Sequence, residues 1–152
     1  MKVRDIMTKS VLMVKADTSV NAIAKLMGEH NISGVPVVDD QNHVLGIVTE
    51  QDLIVRNTRL EMAHFIQVLD LGRIPLEWPS HARERMRHML GALASDVMTS
   101  KVTTVGPDVE IEELAELMVK HGVNPVPVIE NEQLIGIVSR ADLIDMMAAE
   151  LG

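Results

Sequence analysis

The feature that most constrains the fold of this chain is an internal duplication. Residues 3–40 align with residues 94–131 without a gap, and residues 44–54 align with residues 134–144 after a deletion of one residue. Identical positions occur throughout both alignments: Asp5/Asp96, Met7/Met98, Thr8/Thr99, Val35/Val126, Pro36/Pro127, Gly46/Gly136 and Asp52/Asp142. A unit of this size buries too little apolar surface to be readily stable alone, so two similar units are expected to pack face to face.

Each copy contains the same series of expected elements. A short strand (11–14 and 102–105) precedes a stretch with apolar residues at helical spacing. Two strands joined by a polar turn follow, and a second helix begins after a hydroxyl residue. The expected fold class is α+β, with two β-α-β-β-α repeats packed with pseudo-twofold symmetry. This symmetry creates two equivalent clefts between the repeats.

The duplication also predicts the domain boundaries. The first repeat is expected over residues 1–57 and the second over residues 94–152, with a helical insert or linker over residues 58–93. In the insert, apolar residues from Phe65 to Leu71 indicate a helix that breaks near Gly72.

A second helix is expected in the insert over residues 80–90. It carries the basic residues His81, Arg83, Arg85, Arg87 and His88. This stretch is interpreted as a solvated helix face, with a phosphate or partner contact as the alternative. Trp78 is expected to pack within a loop, with the anchoring of a partner as the alternative.

Composition excludes several classes of function. The net charge of −8 argues against a general nucleic-acid binder, which requires a basic surface. The absence of Cys excludes disulfides and thiolate metal sites. The six His residues lack metal-ligand spacing, so no metal is expected. No apolar run reaches membrane-spanning length, and a soluble, cytoplasmic protein is expected.

The chemically informative motif occurs in residues 46–52 and again in residues 136–142. Its pattern is Gly, two apolar residues, Thr or Ser, two variable positions and Asp. The structural interpretation is a helix cap, in which the hydroxyl and the carboxylate bond to backbone N–H groups. The functional interpretation is a ligand site, because a helix start presents free N–H groups and a carboxylate there can accept hydrogen bonds from a ribose. The two interpretations are compatible.

Three segments, each represented in both copies, resemble the recurring segments of CBS domains. They are Asp-Val-Met-Thr at 96–99, Gly-Val-Pro-Val-Val-Asp at 34–39 and Gly-Ile-Val-Ser-Arg-Ala-Asp-Leu at 136–143. The resemblance implies a CBS pair, or Bateman module, which typically binds AMP, ADP, ATP, S-adenosylmethionine or a related molecule between the repeats. It also implies a regulatory role towards an attached or partner protein.

The resemblance further implies two sets of binding residues, each drawn from both repeats. The Asp residues would hold the ribose hydroxyls, and adenine would lie against the first-strand entrance and the Pro-containing strand (Pro36 or Pro127). One set comprises Thr8, Leu12, Ser33, Gly34, Val35, Ser139, Arg140 and Asp142. The other comprises Thr49, Asp52, Thr99, Thr103, Asn124, Pro125 and Val126.

The two motifs differ at the position after the hydroxyl residue, which is Arg140 in one and Glu50 in the other. Arg suits phosphate oxygens and Glu repels them. We therefore expect the site of Asp142 to favour a phosphorylated nucleotide. The site of Asp52 is expected to be empty or to hold a less anionic adenosine derivative.

The sequence contains no G-x-S-x-G, Gly-rich phosphate loop or dinucleotide fingerprint, so an enzyme is not expected. The preferred hypothesis is an allosteric adenosine-ligand sensor that forms a homodimer. The alternative is a ligand-free module for dimerisation or protein interaction. A third and weaker class is a nucleic-acid-associated regulator that acts through the basic helix of the insert.

Matched His30 and His121 are interpreted as residues that interact with the dipole at a helix end.

Overall fold

The computed structural model describes residues 1–55, 67–68 and 70–152 of the 152-residue chain. Its first half contains α1 (Val3–Ile6), α2 (Val20–His30), β1 (Gly34–Val38), β2 (Val44–Thr49), α3 (Glu50–Val55) and α4 (Ser80–Gly91). Its second half contains α5 (Ala94–Val97), α6 (Ile111–His121), β3 (Val126–Glu130), β4 (Gln133–Val138) and α7 (Arg140–Leu151). The expected α+β class with two repeats is confirmed.

Each repeat is built on one antiparallel hairpin. In the first, Gly34 lies opposite Thr49 and Val35 opposite Val48, and in the second, Val126 lies opposite Val138. Both hairpins have an irregularity in register at the same place, after Val37 and after Val128. The β-branched residues of these strands suit a sheet that is buried on its core side.

The strand expected at 11–14 and 102–105 is reduced to one bridging residue in each repeat. Val14 bridges Val37 in parallel, and Val105 bridges Val128. The Val14 N–H donates to the Pro36 carbonyl at 3.0 Å, and the Val38 N–H donates to the Val14 carbonyl at 2.9 Å. Proline lacks an N–H, so Pro36 can only accept in this ladder.

Two short helices that the sequence pattern did not predict, α1 and α5, exchange places between the repeats. Val3 of α1 is fully buried in the core of the second repeat, with Val126 and Leu114. Ala94 and Val97 of α5 lie in the core of the first repeat. The two repeats are therefore interlocked, because the core of each repeat contains the short helix that begins the other repeat.

The exchange extends to the residues that follow the short helices. Thr8 pairs with Ile137 of β4 through two backbone hydrogen bonds of 2.9 and 3.0 Å. Thr99 pairs with Ile47 of β2 in the same way, at 2.9 and 3.0 Å. Each threonine is thereby brought next to the helix start of the other repeat.

The insert packs on the first repeat. The helix expected at 80–90 is present as α4, and Met86 on it is buried with Trp78 in the core that also contains Ile23 of α2. Trp78 thus has the packing role that was expected of it. Phe65, Ile66 and Leu69 lie outside the described residues.

On the exposed side of α4, Glu84 pairs with Arg87 at 3.6 Å and with His88 at 3.8 Å. Across the described ranges, no helix combines the length and apolar character needed to cross a membrane. The same ranges contain no group of three His, Asp or Glu placed to hold a metal ion.

Candidate functional site

The two duplicated motifs each form a helix cap. In α7, the Asp142 carboxylate Oδ2 accepts from the Ser139 N–H at 2.7 Å and from its hydroxyl at 3.1 Å. At α3, Asp52 Oδ2 accepts from the Thr49 N–H at 2.9 Å and from its hydroxyl at 3.1 Å. The structural interpretation of the motif is confirmed, and in both caps a single carboxylate oxygen makes these bonds.

The second carboxylate oxygen differs between the two motifs. Asp52 Oδ1 accepts a 2.6 Å hydrogen bond from the hydroxyl of Thr99, which belongs to the other repeat. For Asp142 Oδ1, the described part of the chain supplies no hydrogen bond. Asp142 therefore has an oxygen available for a ligand hydroxyl, whereas Asp52 Oδ1 already accepts one hydrogen bond from the other repeat.

The first cleft, which we name the Asp142 cleft, has a volume of about 410 Å³. It is lined by Thr8, Ser10, Leu12, Asn31, Ile32, Ser33, Gly34, Glu50, Asn124, Pro125, Ile137, Ser139, Ala141 and Asp142. Both repeats contribute to it. Its size falls in the range of small-molecule sites.

The second cleft, which we name the Asp52 cleft, has a volume of about 360 Å³. It is lined by Ser33, Ile47, Thr49, Glu50, Gln51, Asp52, Thr99, Lys101, Val102, Thr103, His121, Gly122, Val123, Asn124, Pro125 and Arg140. Of the expected binding residues, Thr8, Leu12 and Gly34 line the Asp142 cleft with Ser139, and Thr99 and Thr103 line the Asp52 cleft with Thr49. Ser33, Asn124 and Pro125, each expected in one cleft, line both.

Five residues lie elsewhere than expected. Val35, Pro36, Val126 and Pro127 are buried and line neither cleft. Val35 and Val126 face the two hydrophobic cores, and the carbonyls of Pro36 and Pro127 accept from Val14 and Val105. These strands enter the core directly after the cleft residues, which are Gly34 at the start of β1 and Pro125 immediately before β3.

Arg140 is the fifth residue, and it lines the Asp52 cleft instead of the Asp142 cleft. Residues two apart on a helix do not face each other, since each residue turns the chain by about 100°. Arg140 and Asp142 consequently project to different sides of α7. The expected grouping of Arg140 with Asp142 is therefore corrected, and the ligand expected in the Asp142 cleft stays a prediction.

The sequence reasoning missed lining residues that follow the same symmetry. Ser10 lines one cleft and Lys101 lines the other, at matched positions two residues after Thr8 and Thr99. His121 ends α6, as expected of a helix-end residue, and it also lines the Asp52 cleft. The duplication itself was the signal for these positions, because a residue lining one cleft marks its counterpart in the other.

The two clefts share a wall at the centre of the molecule. Ser33 and Asn124, which are matched positions, line both clefts and are joined by a 3.3 Å hydrogen bond from Asn124 Nδ2 to Ser33 Oγ. Asn124 Oδ1 accepts from the Arg140 N–H at 2.9 Å, and the Ser33 carbonyl accepts from the Glu50 N–H at 2.9 Å. The first residues of α3 and α7 are therefore anchored to this wall.

The family comparison follows the same division of the chain. The profile of the CBS domain family matches residues 3–57 and residues 94–149. This chain belongs to the CBS domain family.

One relative of this chain is the uncharacterized protein MJ1426 of Methanocaldococcus jannaschii. It is 34% identical over 155 residues, covering 97% of this chain and 91% of the relative. The crystal structure of CBSX2 in complex with AMP superimposes with a TM-score of 0.72 at 23% identity, covering 99% of this chain and 98% of that one.

The CBS domain pair of protein MJ0100, in complex with 5′-methylthioadenosine and S-adenosyl-L-methionine, has a TM-score of 0.70 at 22% identity, with the coverage again 99% and 98%. These two structures share the fold of this CBS pair.

Proposed function

We propose that this CBS pair is a cytoplasmic regulatory module that binds an adenosine-containing ligand in at least one cleft and has no catalytic activity of its own. The observation that supports the proposal is the hydrogen bonding of the two carboxylate oxygens of Asp142. Its Oδ2 is held by the cap at Ser139, while its Oδ1 has no partner among the described residues. A carboxylate oxygen in this state can accept hydrogen bonds from the ribose hydroxyls of a nucleoside.

The walls of the Asp142 cleft suit the rest of a nucleoside. Leu12, Ile32 and Ile137 provide apolar surface that can contact a purine ring, and Thr8 and Ser10 provide hydroxyl groups. Small-molecule sites are commonly built in this way, from apolar walls with a few polar groups that fix the orientation.

The solved relatives support the class of ligand. CBSX2 holds AMP, and the MJ0100 pair holds 5′-methylthioadenosine and S-adenosylmethionine. All three ligands contain adenosine. The ligand of the present chain is proposed within this class.

A ligand in the Asp142 cleft contacts both repeats at once. Thr8 and Gly34 come from the first repeat, and Ser139 and Asp142 come from the second. Binding there can change the relative packing of the repeats if the ligand has different affinities for two arrangements. A partner protein that recognises one arrangement would then respond to the ligand.

A thermal-shift panel of AMP, ADP, ATP, S-adenosylmethionine and NADH tests the proposal. A ligand that binds the native state raises the melting temperature, by an amount that grows with its concentration. Asp142→Ala is expected to abolish the shift of a ligand that binds in the Asp142 cleft.

Asp96→Ala is the matched control for Asp142→Ala. Asp96 accepts the Leu93 N–H at 2.9 Å in an equivalent cap of α5, but it lines neither cleft. A panel in which no adenosine compound shifts the wild-type melting temperature would refute the proposal.

A second candidate function is a ligand-free module for dimerisation or protein interaction. It is favoured by α7, on which no residue is buried although the helix carries Ile144, Met147 and Leu151. A wild-type protein that fails the ligand panel yet is dimeric in solution would support this alternative.

A further inference from the structure

We propose that the two clefts select adenosine ligands of different charge. The Asp52 cleft takes a phosphorylated ligand, whose phosphate contacts Lys101 and Arg140. The Asp142 cleft takes an adenosine derivative that lacks phosphate and is neutral or cationic. This inference rests on the proposed function and adds to it the class of ligand that each cleft prefers.

Among the described residues, each Lys or Arg that lines one of the two clefts lines the Asp52 cleft. Lys101 and Arg140 line the Asp52 cleft, where they offset the acidic residues Glu50 and Asp52. Neither cation has an ion pair within the described ranges, and both residues are exposed. Unpaired Lys and Arg side chains at the edge of a cavity are suitable donors for phosphate oxygens.

The Asp142 cleft has the opposite character. Glu50 and Asp142 line it, and no Lys or Arg is found among the described residues of its walls. A phosphate group there would lie near two carboxylates without a compensating cation, which disfavours its binding. A neutral nucleoside or a cationic derivative meets no such repulsion.

The separation of charge follows from the first turns of α3 and α7. Arg140 is held at the central wall through its N–H bond to Asn124 Oδ1 at 2.9 Å. Two residues later, Asp142 projects to the other side of the helix. Glu50, at the matched position of α3, is likewise held at the wall and lines both clefts. Two differences between matched positions therefore make the clefts unequal: Arg140 against Glu50, and Lys101 against Ser10.

Isothermal titration calorimetry with AMP and 5′-methylthioadenosine tests the assignment. These probes share adenosine but differ in the presence of a phosphate. In Lys101→Gln/Arg140→Gln, the affinity for AMP is expected to fall by about tenfold or more, because charge-assisted hydrogen bonds to the phosphate are lost. The affinity for 5′-methylthioadenosine is expected to stay within about twofold of the wild-type value, and Glu50→Gln is expected to strengthen AMP binding.

Arg87→Gln is the matched control, since it removes a cation of α4 that pairs with Glu84 outside both clefts. Melting curves without ligand establish that each variant is folded. If AMP affinity is unchanged in the double variant but is lost in Asp142→Ala, the assignment is overturned while the proposed function stands. If neither probe binds the wild-type protein, the proposed function fails, and this inference fails with it.

Discussion

Arg140 and Asp142 lie two residues apart in the first turn of α7 and line different clefts. The sequence places them in one motif, whereas the geometry of a helix separates them. Glu50 and Asp52 have the same spacing at α3, although Glu50 reaches the edge of both clefts. The charged residue that follows the hydroxyl in one motif therefore lines the cleft formed around the other motif.

Gly46→Ala is expected to destabilise the protein by about 1–3 kcal/mol, as overpacking of a core does. A Cβ atom at this position would lie 2.6 Å from Met98 Sδ and 2.9 Å from the carbonyl oxygen of Thr99. The Met side chain can move, but the backbone oxygen cannot move without disturbing the pairing of Thr99 with Ile47. Chemical denaturation measures the change.

Gly136→Ala is expected to have a smaller effect, because the corresponding distance to the Thr8 carbonyl oxygen is 3.2 Å. Gly91→Ala serves as the control, since no atom lies within 4 Å of a Cβ placed there. Equal stability of all three variants would contradict the close approach of Met98 and Thr99 to β2.

Val3→Ala is expected to lower the free energy of unfolding by about 2 kcal/mol, even though Val3 lies near the end of the chain. Its side chain is 0% exposed in the core of the second repeat. Val119→Ala, at a side chain that is 84% exposed, is the control and should have little effect. A Val3 variant as stable as the control would show that α1 does not belong to this core.

The pKa of the Asp39 carboxyl is lowered, first because it accepts the backbone N–H of His43 and also that of Gln41, each at 2.9 Å. A group with a lowered pKa in the folded state stabilises the protein above its unfolded pKa. That contribution is lost as the pH falls through the folded value. The difference in stability between wild type and Asp39→Ala should therefore be largest at neutral pH and should narrow as the pH falls through the folded-state pKa of Asp39.

Two measurements check the role of Asp39. An NMR titration should find its carboxyl ionised at a lower pH than an ordinary Asp, and denaturation at several pH values should show the difference narrowing in acid. Asp40→Ala is the comparison, because Asp40 is fully exposed and contacts Lys15 at 3.3 Å. A pH-independent difference for Asp39→Ala would argue against a role for its charge.

We propose that α7 forms a homodimer interface. Ile144, Met147 and Leu151 are 64%, 55% and 87% exposed, and their spacing places them on one face of the helix. Light scattering is expected to find a dimer for the wild type and a monomer for Ile144→Glu/Met147→Glu. A variant that remains dimeric would place the interface elsewhere. A monomeric wild type would show that α7 forms no dimer interface.

Much of this molecule follows from local sequence patterns. The duplication established the two repeats, since each copy carries its own helix periodicity, hairpin and capping motif. The helix at 80–90 and the caps formed by Asp52 and Asp142 were also predictable, because a cap depends on residues only three positions apart.

The resemblance to CBS domains already grouped Thr99 with Asp52 across the repeats, but the tertiary structure alone decided two other features. They are the exchange of α1 and α5 between the cores and the location of Arg140 in the Asp52 cleft. Two similar repeats offer a short helix two similar cores, and the local sequence pattern does not distinguish between them. The choice depends on the packing of the complete pair, which also determines where each charged side chain is directed.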